Sequence, residues 1–137
     1  MSIATILLIE DNETDEKLTL RALAAGNVPA KVEVVRDGKE AIDYLFNGAK
    51  ENVPSLILLD IKLPKVNGLE VLEAIRKNEA TEAVPVVMLT SSDNIYDIAA
   101  SYRLGANSYV RKTQDYDKFM EHIRLIGLYW IVINNSP

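Results

Sequence analysis

Four apolar runs in this sequence end on residues able to do acid, nucleophilic or charge chemistry. Ile6-Leu7-Leu8-Ile9 runs into Glu10-Asp11, Leu56-Ile57-Leu58-Leu59 into Asp60, Val86-Val87-Met88-Leu89 into Thr90-Ser91-Ser92, and Tyr109-Val110 into Arg111-Lys112. Taken singly, an acid after a strand is commonly just the N-cap of the next helix, and Asp11 has that reading open to it. Taken together, they are three carboxylates, a hydroxyl and an ammonium. Three carboxylates in one pocket repel by several kcal/mol at intermediate dielectric, so they stay ionised only beside cations. A doubly charged metal ion and Lys112 would balance them. The donors are all oxygen, with no His or Cys nearby, which indicates a hard ion such as Mg2+. In such a pocket an Asp carboxylate can attack a phosphoryl group and carry it as an acyl phosphate. Metal, ammonium and hydroxyl then hold the phosphoryl oxygens as charge develops. Asp60 is the candidate nucleophile, because it stands alone at its strand end. Glu10 and Asp11 are left to hold metal, and Thr90 and Lys112 to hold oxygens.

These residues meet only if the runs are parallel strands of one sheet, since in open α/β sheets ligands bind outside the carboxyl ends of the strands. The patterning supports this. Strands are predicted at Thr5–Ile9, Val32–Val35, Ser55–Leu59, Pro85–Leu89 and Asn107–Val110, alternating with helices over 13–25, 38–47, 67–78, 94–104 and 115–131. Five β-α units end to end predict a parallel sheet covered on both faces. Gly26, Gly48 and Gly105 close three of the helices and suit the left-handed position that follows a helix end. The first helix is predicted to bury Leu18, Leu20, Leu23 and Ala24, and the third Leu69, Leu72 and Ile75 with Arg76 beside them. Lys50–Pro54 is the one loosely polar loop.

A length of 137 residues predicts one domain over 1–137, with its core between residues 4 and 131. Fifteen Lys and Arg against 20 Asp and Glu give a net charge of −5. That provides no basic field for nucleic acid or an anionic membrane. The absence of cysteine excludes disulfides, thiolate metal sites and a Cys nucleophile. No apolar run approaches the ~20 residues that cross a bilayer, so the expected location is cytoplasmic. The sole histidine, His122, falls in the last predicted helix away from every strand end, which disfavours it as a phosphoryl relay.

These strand-end motifs, in this order, resemble the receiver domain of two-component response regulators over about residues 4–130. The matching residues are Glu10-Asp11, Asp60 with Pro64 and Gly68, Thr90-Ser91-Ser92, and Gly105 through Lys112. The resemblance implies a flavodoxin-like (βα)5 fold with strand order 2-1-3-4-5. It also implies a phosphoryl group accepted on Asp60 from a sensor histidine kinase, with Mg2+ held by Glu10, Asp11, Asp60 and the main-chain carbonyl of Lys62 or Ile61. Thr90 and Tyr109 would be the switch pair. Lys62 and Ser92, two residues beyond the acceptor and the hydroxyl, imply slow self-hydrolysis. Such a protein is not an enzyme beyond its own phosphotransfer and hydrolysis.

One position departs from the family, which usually carries a cis proline after the lysine. Thr113 stands there, and the Lys112–Thr113 bond is expected to be cis only if the pocket imposes it, and otherwise trans with the lysine still reaching inward. The chain is also similar to stand-alone receivers that partner bacterial phytochrome kinases. With no output domain expected, signalling would run through binding to the kinase, a phosphorelay protein or a second copy.

Three other readings fit less well. A flavodoxin-like cofactor binder needs a Ser/Thr/Gly-rich phosphate loop where Glu10-Asp11-Asn12-Glu13 stands. An Asp-dependent phosphohydrolase needs a general acid where Lys62 stands. A receiver-like adaptor that is never phosphorylated has no use for three crowded acids. The last helix also predicts self-association. Phe119, Ile123, Ile126 and Trp130 form one stripe to dock on the sheet, while Leu125, Leu128, Tyr129, Ile131, Val132 and Ile133 point elsewhere and need a cover.

Overall fold

The structure is a computed structural model and describes residues 3–47 and 53–137. Its elements are β1 (Ala4–Ile9), α1 (Glu13–Ala25), β2 (Ala30–Val35), α2 (Gly38–Phe46), β3 (Leu56–Leu59), α3 (Gly68–Lys77), β4 (Val86–Thr90), α4 (Ile95–Arg103), β5 (Ser108–Arg111) and α5 (Tyr116–Gly127). A π-helical turn over Leu128–Ile133 follows α5. The strands form one parallel sheet in the order β2-β1-β3-β4-β5, the flavodoxin-like order.

Successive residues of a strand face opposite sides of a sheet, and the core divides accordingly. Leu7, Ile9, Ile57, Leu59, Val86 and Met88 pack with Val71, Leu72 and Ile75 of α3 and Ala41 of α2. Ile6, Leu8, Leu56, Leu58, Val87 and Leu89 pack with Leu18, Ala22 and Leu23 of α1 and Phe119 and Ile123 of α5. Both faces are covered, so the central strands are apolar throughout and only their ends can carry polar chemistry.

Each of the five α-helices among the described residues begins on an Asn or Asp whose side chain accepts a main-chain N–H of the first turn: Asn12, Asp37, Asn67, Asn94 and Asp115. Asp11 therefore does not cap α1. The bend after β3 depends on Gly68, whose N–H donates to the Ile61 carbonyl at 2.7 Å. A Cβ there would collide with the Asp60 carbonyl and with the Ile61 Cα, so only glycine lets α3 start this close to the phosphoacceptor candidate.

The structure departs from the sequence pattern at several positions. The buried face of α1 is Leu18, Thr19, Ala22 and Leu23; Leu20 is half-buried and Ala24 exposed. Gly26 keeps a right-handed φ of −79°, and the left-handed residue is Asn27, with φ 53°. Gly105 does take positive φ, at 103°. Gly48 and residues 50–52 of the polar loop lie outside the described residues. In α3, Val71 joins Leu72 and Ile75 in the core and Leu69 is half-buried.

Arg76 does more than lie beside the apolar stripe of α3. Its guanidinium donates to the carbonyls of Gly105, Glu82 and Val84 and to Asn107 Oδ1, at 2.7–3.1 Å. Asn107 Oδ1 also accepts the Val86 N–H at 2.8 Å. One side chain thus ties together the entries to β4 and β5.

The last helix changes to the wider π turn after Gly127, where the β-branched run Ile131-Val132-Ile133 disfavours a regular α-helix. Ile131 packs against the core with Ile126 and Trp130, and Leu128 is half-buried. The outward set is therefore Leu125, Tyr129, Val132 and Ile133.

Candidate functional site

Main-chain pairing continues one residue past the strand ends and fixes the backbone of the pocket. Glu10 N–H donates to Val35 O at 3.0 Å, Asp60 N–H to Ile9 O at 3.2 Å, and Lys112 N–H to Thr90 O at 2.7 Å. Glu10, Asp60 and Lys112 are thus delivered to one edge of the sheet by the ladder itself. Glu10 and Asp60 are buried, Lys112 is nearly so, and Asp11 is exposed. Glu10, Asp11 and Asp60 each place a carboxylate oxygen within 4.8 Å of the others.

Lys112 Nζ lies 2.8 Å from Glu10 Oε1, 3.0 Å from Asp60 Oδ2 and 2.8 Å from Asp15 Oδ2. No peptide bond among the described residues is cis, so the lysine reaches inward on a trans Lys112–Thr113 backbone. Thr90 is fully buried as the last residue of β4, and its Oγ1 accepts the Ser92 N–H at 3.4 Å. The Tyr109 hydroxyl donates to the Ser92 carbonyl at 2.8 Å, which draws the ring toward the loop after β4. The Lys62 side chain is exposed, and its N–H donates to Asp60 Oδ1 at 3.4 Å. His122 is exposed on α5.

The fourth acid, Asp15, did not figure among the strand-end residues. The signal for it is a helical one. The Asn12 cap starts α1 at Glu13, and Asp15, four residues beyond Asp11, then falls in the first turn, over the pocket. Its presence changes the charge balance: Asp15 is a fourth carboxylate beside Glu10, Asp11 and Asp60, so with Lys112 a divalent cation would leave the group at −1 rather than neutral.

Burial pushes the Glu10 carboxyl up from 4.5 to about 7, against the opposing pull of the Lys112 ammonium; the neighbouring Asp60 carboxylate adds to the rise. Burial alone would lower the Lys112 pKa, but Asp60, Glu10 and Asp15 more than offset it, and the ammonium is held protonated. The sign for stability follows from Glu10. Between about pH 4.5 and 7 the native state keeps a proton that the unfolded chain has lost, so stability falls as pH rises through that window and then levels off. The full effect is of the order of 3 kcal/mol. Unfolding measured in chelator should show wild type losing stability from pH 5 to 7 relative to Glu10→Gln. A constant difference between the two would contradict the assignment.

Residues 6–124 match the family model described as the response regulator receiver domain. The chain is 39% identical over 134 residues to the probable methanogenesis regulatory protein FilR2 of Methanothrix harundinacea, covering 96% of this chain and 86% of that protein. It is 37% identical over 135 residues to response regulator Rcp1 of Synechocystis sp., covering 96% and 92%. The crystal structure of the Mn(2+)-bound form of Rcp1 superposes with a TM-score of 0.90 at 35% identity, over 98% of this chain and 99% of that one. That of the phosphorylated cyanobacterial phytochrome response regulator RcpA superposes with a TM-score of 0.92 at 39% identity, over 99% of both. Matches of this identity, over nearly the whole of both partners and on the same strand order, make the chain a member of the response regulator receiver domain family.

Proposed function

We propose that this protein accepts a phosphoryl group on Asp60 from the phosphohistidine of a sensor histidine kinase, in a Mg2+-dependent reaction, and signals by binding in the modified state. The observation that carries this reading is the convergence of Glu10, Asp11, Asp60 and Lys112 at one sheet edge. An Asp60 carboxylate oxygen attacks phosphorus and forms the O–P bond while the donor's N–P bond breaks. The electron pair of that bond returns to the imidazole nitrogen. Lys112 and the Thr90 hydroxyl are the donors available to the phosphoryl oxygens.

Three carboxylate oxygens and no softer donor fit Mg2+ or Mn2+, with Glu10, Asp11 and Asp60 as its protein ligands. The Ile61 carbonyl already accepts from Leu63 and Gly68, which favours the Lys62 carbonyl as the main-chain donor. When bound, the ion neutralises charge on the transferring phosphoryl oxygens. Incubation with Mg2+ and acetyl phosphate should add one phosphoryl mass to the intact protein, and chelator should prevent it. With Lys62 and Ser92 offering no acid or amide to orient water, the adduct should decay slowly. No gain of mass in Mg2+ would overturn the reading.

Rcp1 and RcpA are, by name, response regulators, and RcpA a phytochrome one. That resemblance favours a phytochrome-type kinase as the donor, in the cytoplasm, with a phosphorelay protein as one candidate recipient. The Tyr109 hydroxyl, now held on Ser92, and Thr90 form the proposed switch: when Thr90 turns to the phosphoryl group, the loop carrying Ser92 and its tyrosine partner must adjust.

Self-association is the proposed output. Leu125 in the last turn of α5 and Tyr129, Val132 and Ile133 on the π turn are exposed apolar side chains, and Tyr129 sits edge-on to Trp130 at 5.0 Å. A symmetric contact would cover them with the same side chains of a second copy. Sedimentation at tens of micromolar should show a dimer that Tyr129→Ala with Ile133→Ala dissociates. A wild type that stays monomeric, with and without a phosphoryl mimic, would rule it out.

A further inference from the structure

An ammonium has three N–H donors, and those of Lys112 face three carboxylates from three elements: Glu10 after β1, Asp60 after β3 and Asp15 on α1. Under the proposed function, on which this inference rests, two of these partners are claimed by the reaction. Glu10 belongs to the metal-capable trio, and Asp60 gives up its carboxylate to the phosphoryl group. Asp15 alone has neither duty.

Asp15 is also held firmly. Its N–H donates to Asn12 Oδ1 at 2.9 Å, and its carbonyl accepts the hydroxyl of the fully buried Thr19 at 2.7 Å. The Lys112 main chain, by contrast, is tied at the pocket by its N–H to Thr90 O, and its ammonium stands beyond that tie at the end of a four-carbon stem. We infer that Asp15 is a positioning residue: it anchors the Lys112 ammonium over Asp60 when an Asp60 oxygen is bonded to phosphorus and Glu10 would be engaged at the metal site. Without it, the lysine would lose its last constant partner at the moment its charge is needed.

The test is a double-mutant cycle on the initial rate of labelling by acetyl phosphate in saturating Mg2+. In that reaction the Asp60 oxygen bonds phosphorus and acetate leaves with the electron pair. Asp15→Ala and the isosteric Asp15→Asn should each slow wild-type labelling roughly tenfold or more, while in a Lys112→Ala background the same changes should alter the rate less than about twofold. Asp15 is part-exposed, and Asp15→Asn preserves its shape, so folding, checked by thermal unfolding, is retained. The 15N signal of the Lys112 ammonium, slow to exchange in wild type, should be lost in Asp15→Asn. Labelling at the wild-type rate, or an equal slowing in both backgrounds, overturns the inference while leaving the proposed function standing. Failure of wild type to label overturns the proposed function instead. In that case an ammonium signal unchanged by Asp15→Asn overturns the Asp15 anchor on its own.

Discussion

Asp60→Asn should gain no phosphoryl group in Mg2+ and acetyl phosphate under conditions that label wild type to completion. The amide nitrogen and carbonyl oxygen of asparagine lack the anionic oxygen that attacks phosphorus, and no neighbouring acid occupies the same place in the ladder beside Ile9. The same substitution should make the metal-free protein more stable. It removes one of the three carboxylates that contact the Lys112 ammonium, and it relieves the push that Asp60 exerts on the Glu10 carboxyl. Lys112 keeps Glu10 and Asp15 as partners. The expected gain is on the order of 1 kcal/mol, or a few degrees in Tm for a domain of this size. A gain in stability together with complete loss of labelling is the pattern of a residue retained for chemistry and not for folding. Labelling of the variant at the wild-type level would contradict it.

Lys112→Ala has the opposite expected effect on stability. Glu10 and Asp60 are buried, and the lysine is the cation they share. Removing one partner of a buried ion pair leaves an uncompensated charge and typically costs about 3–5 kcal/mol. Part of that cost is recovered where Glu10 takes a proton, so the loss should be greatest above pH 7 and smaller toward pH 5. Mg2+ should restore most of it by supplying the missing positive charge. Labelling should slow by about a hundredfold without vanishing, because the nucleophile remains. Thermal unfolding at pH 8 and pH 5, with Mg2+ and with chelator, checks the first part. A variant as stable as wild type at pH 8 in chelator would show that the lysine does not hold the acids together.

The apolar runs ending on Glu10, Asp60, Thr90 and Lys112 were enough to place these residues at one edge, because strands buried on both faces have no other place for polar groups. The ladder bonds of Glu10, Asp60 and Lys112 just beyond the strands are the physical form of that pattern. Asp15 was not legible in the same way. Its position depends on where α1 begins, and that is set by the Asn12 cap and not by any strand end. The role of Arg76 was not legible for a related reason. A charged residue at the end of an amphipathic helix looks solvated until the chain folds Gly105, Val84 and Asn107 around it, some of them about thirty residues away. The C-terminal helix was expected to stay regular to residue 131. The π turn after Gly127 rotates the later residues, so Ile131 turns toward the core and Tyr129, Val132 and Ile133 outward.

Borohydride trapping identifies the carboxylate that carries the phosphoryl group, which is expected to be Asp60. Hydride reduces the acyl phosphate carbon of the labelled protein to a primary alcohol and expels phosphate, so the modified aspartate is converted to homoserine. Peptide mass mapping should find homoserine at position 60 in protein treated with acetyl phosphate and Mg2+, and nowhere in protein treated with acetyl phosphate and chelator. Homoserine at Asp11 or Asp15, reduction of Glu10, or no reduced residue in a protein that has gained phosphoryl mass would contradict the account.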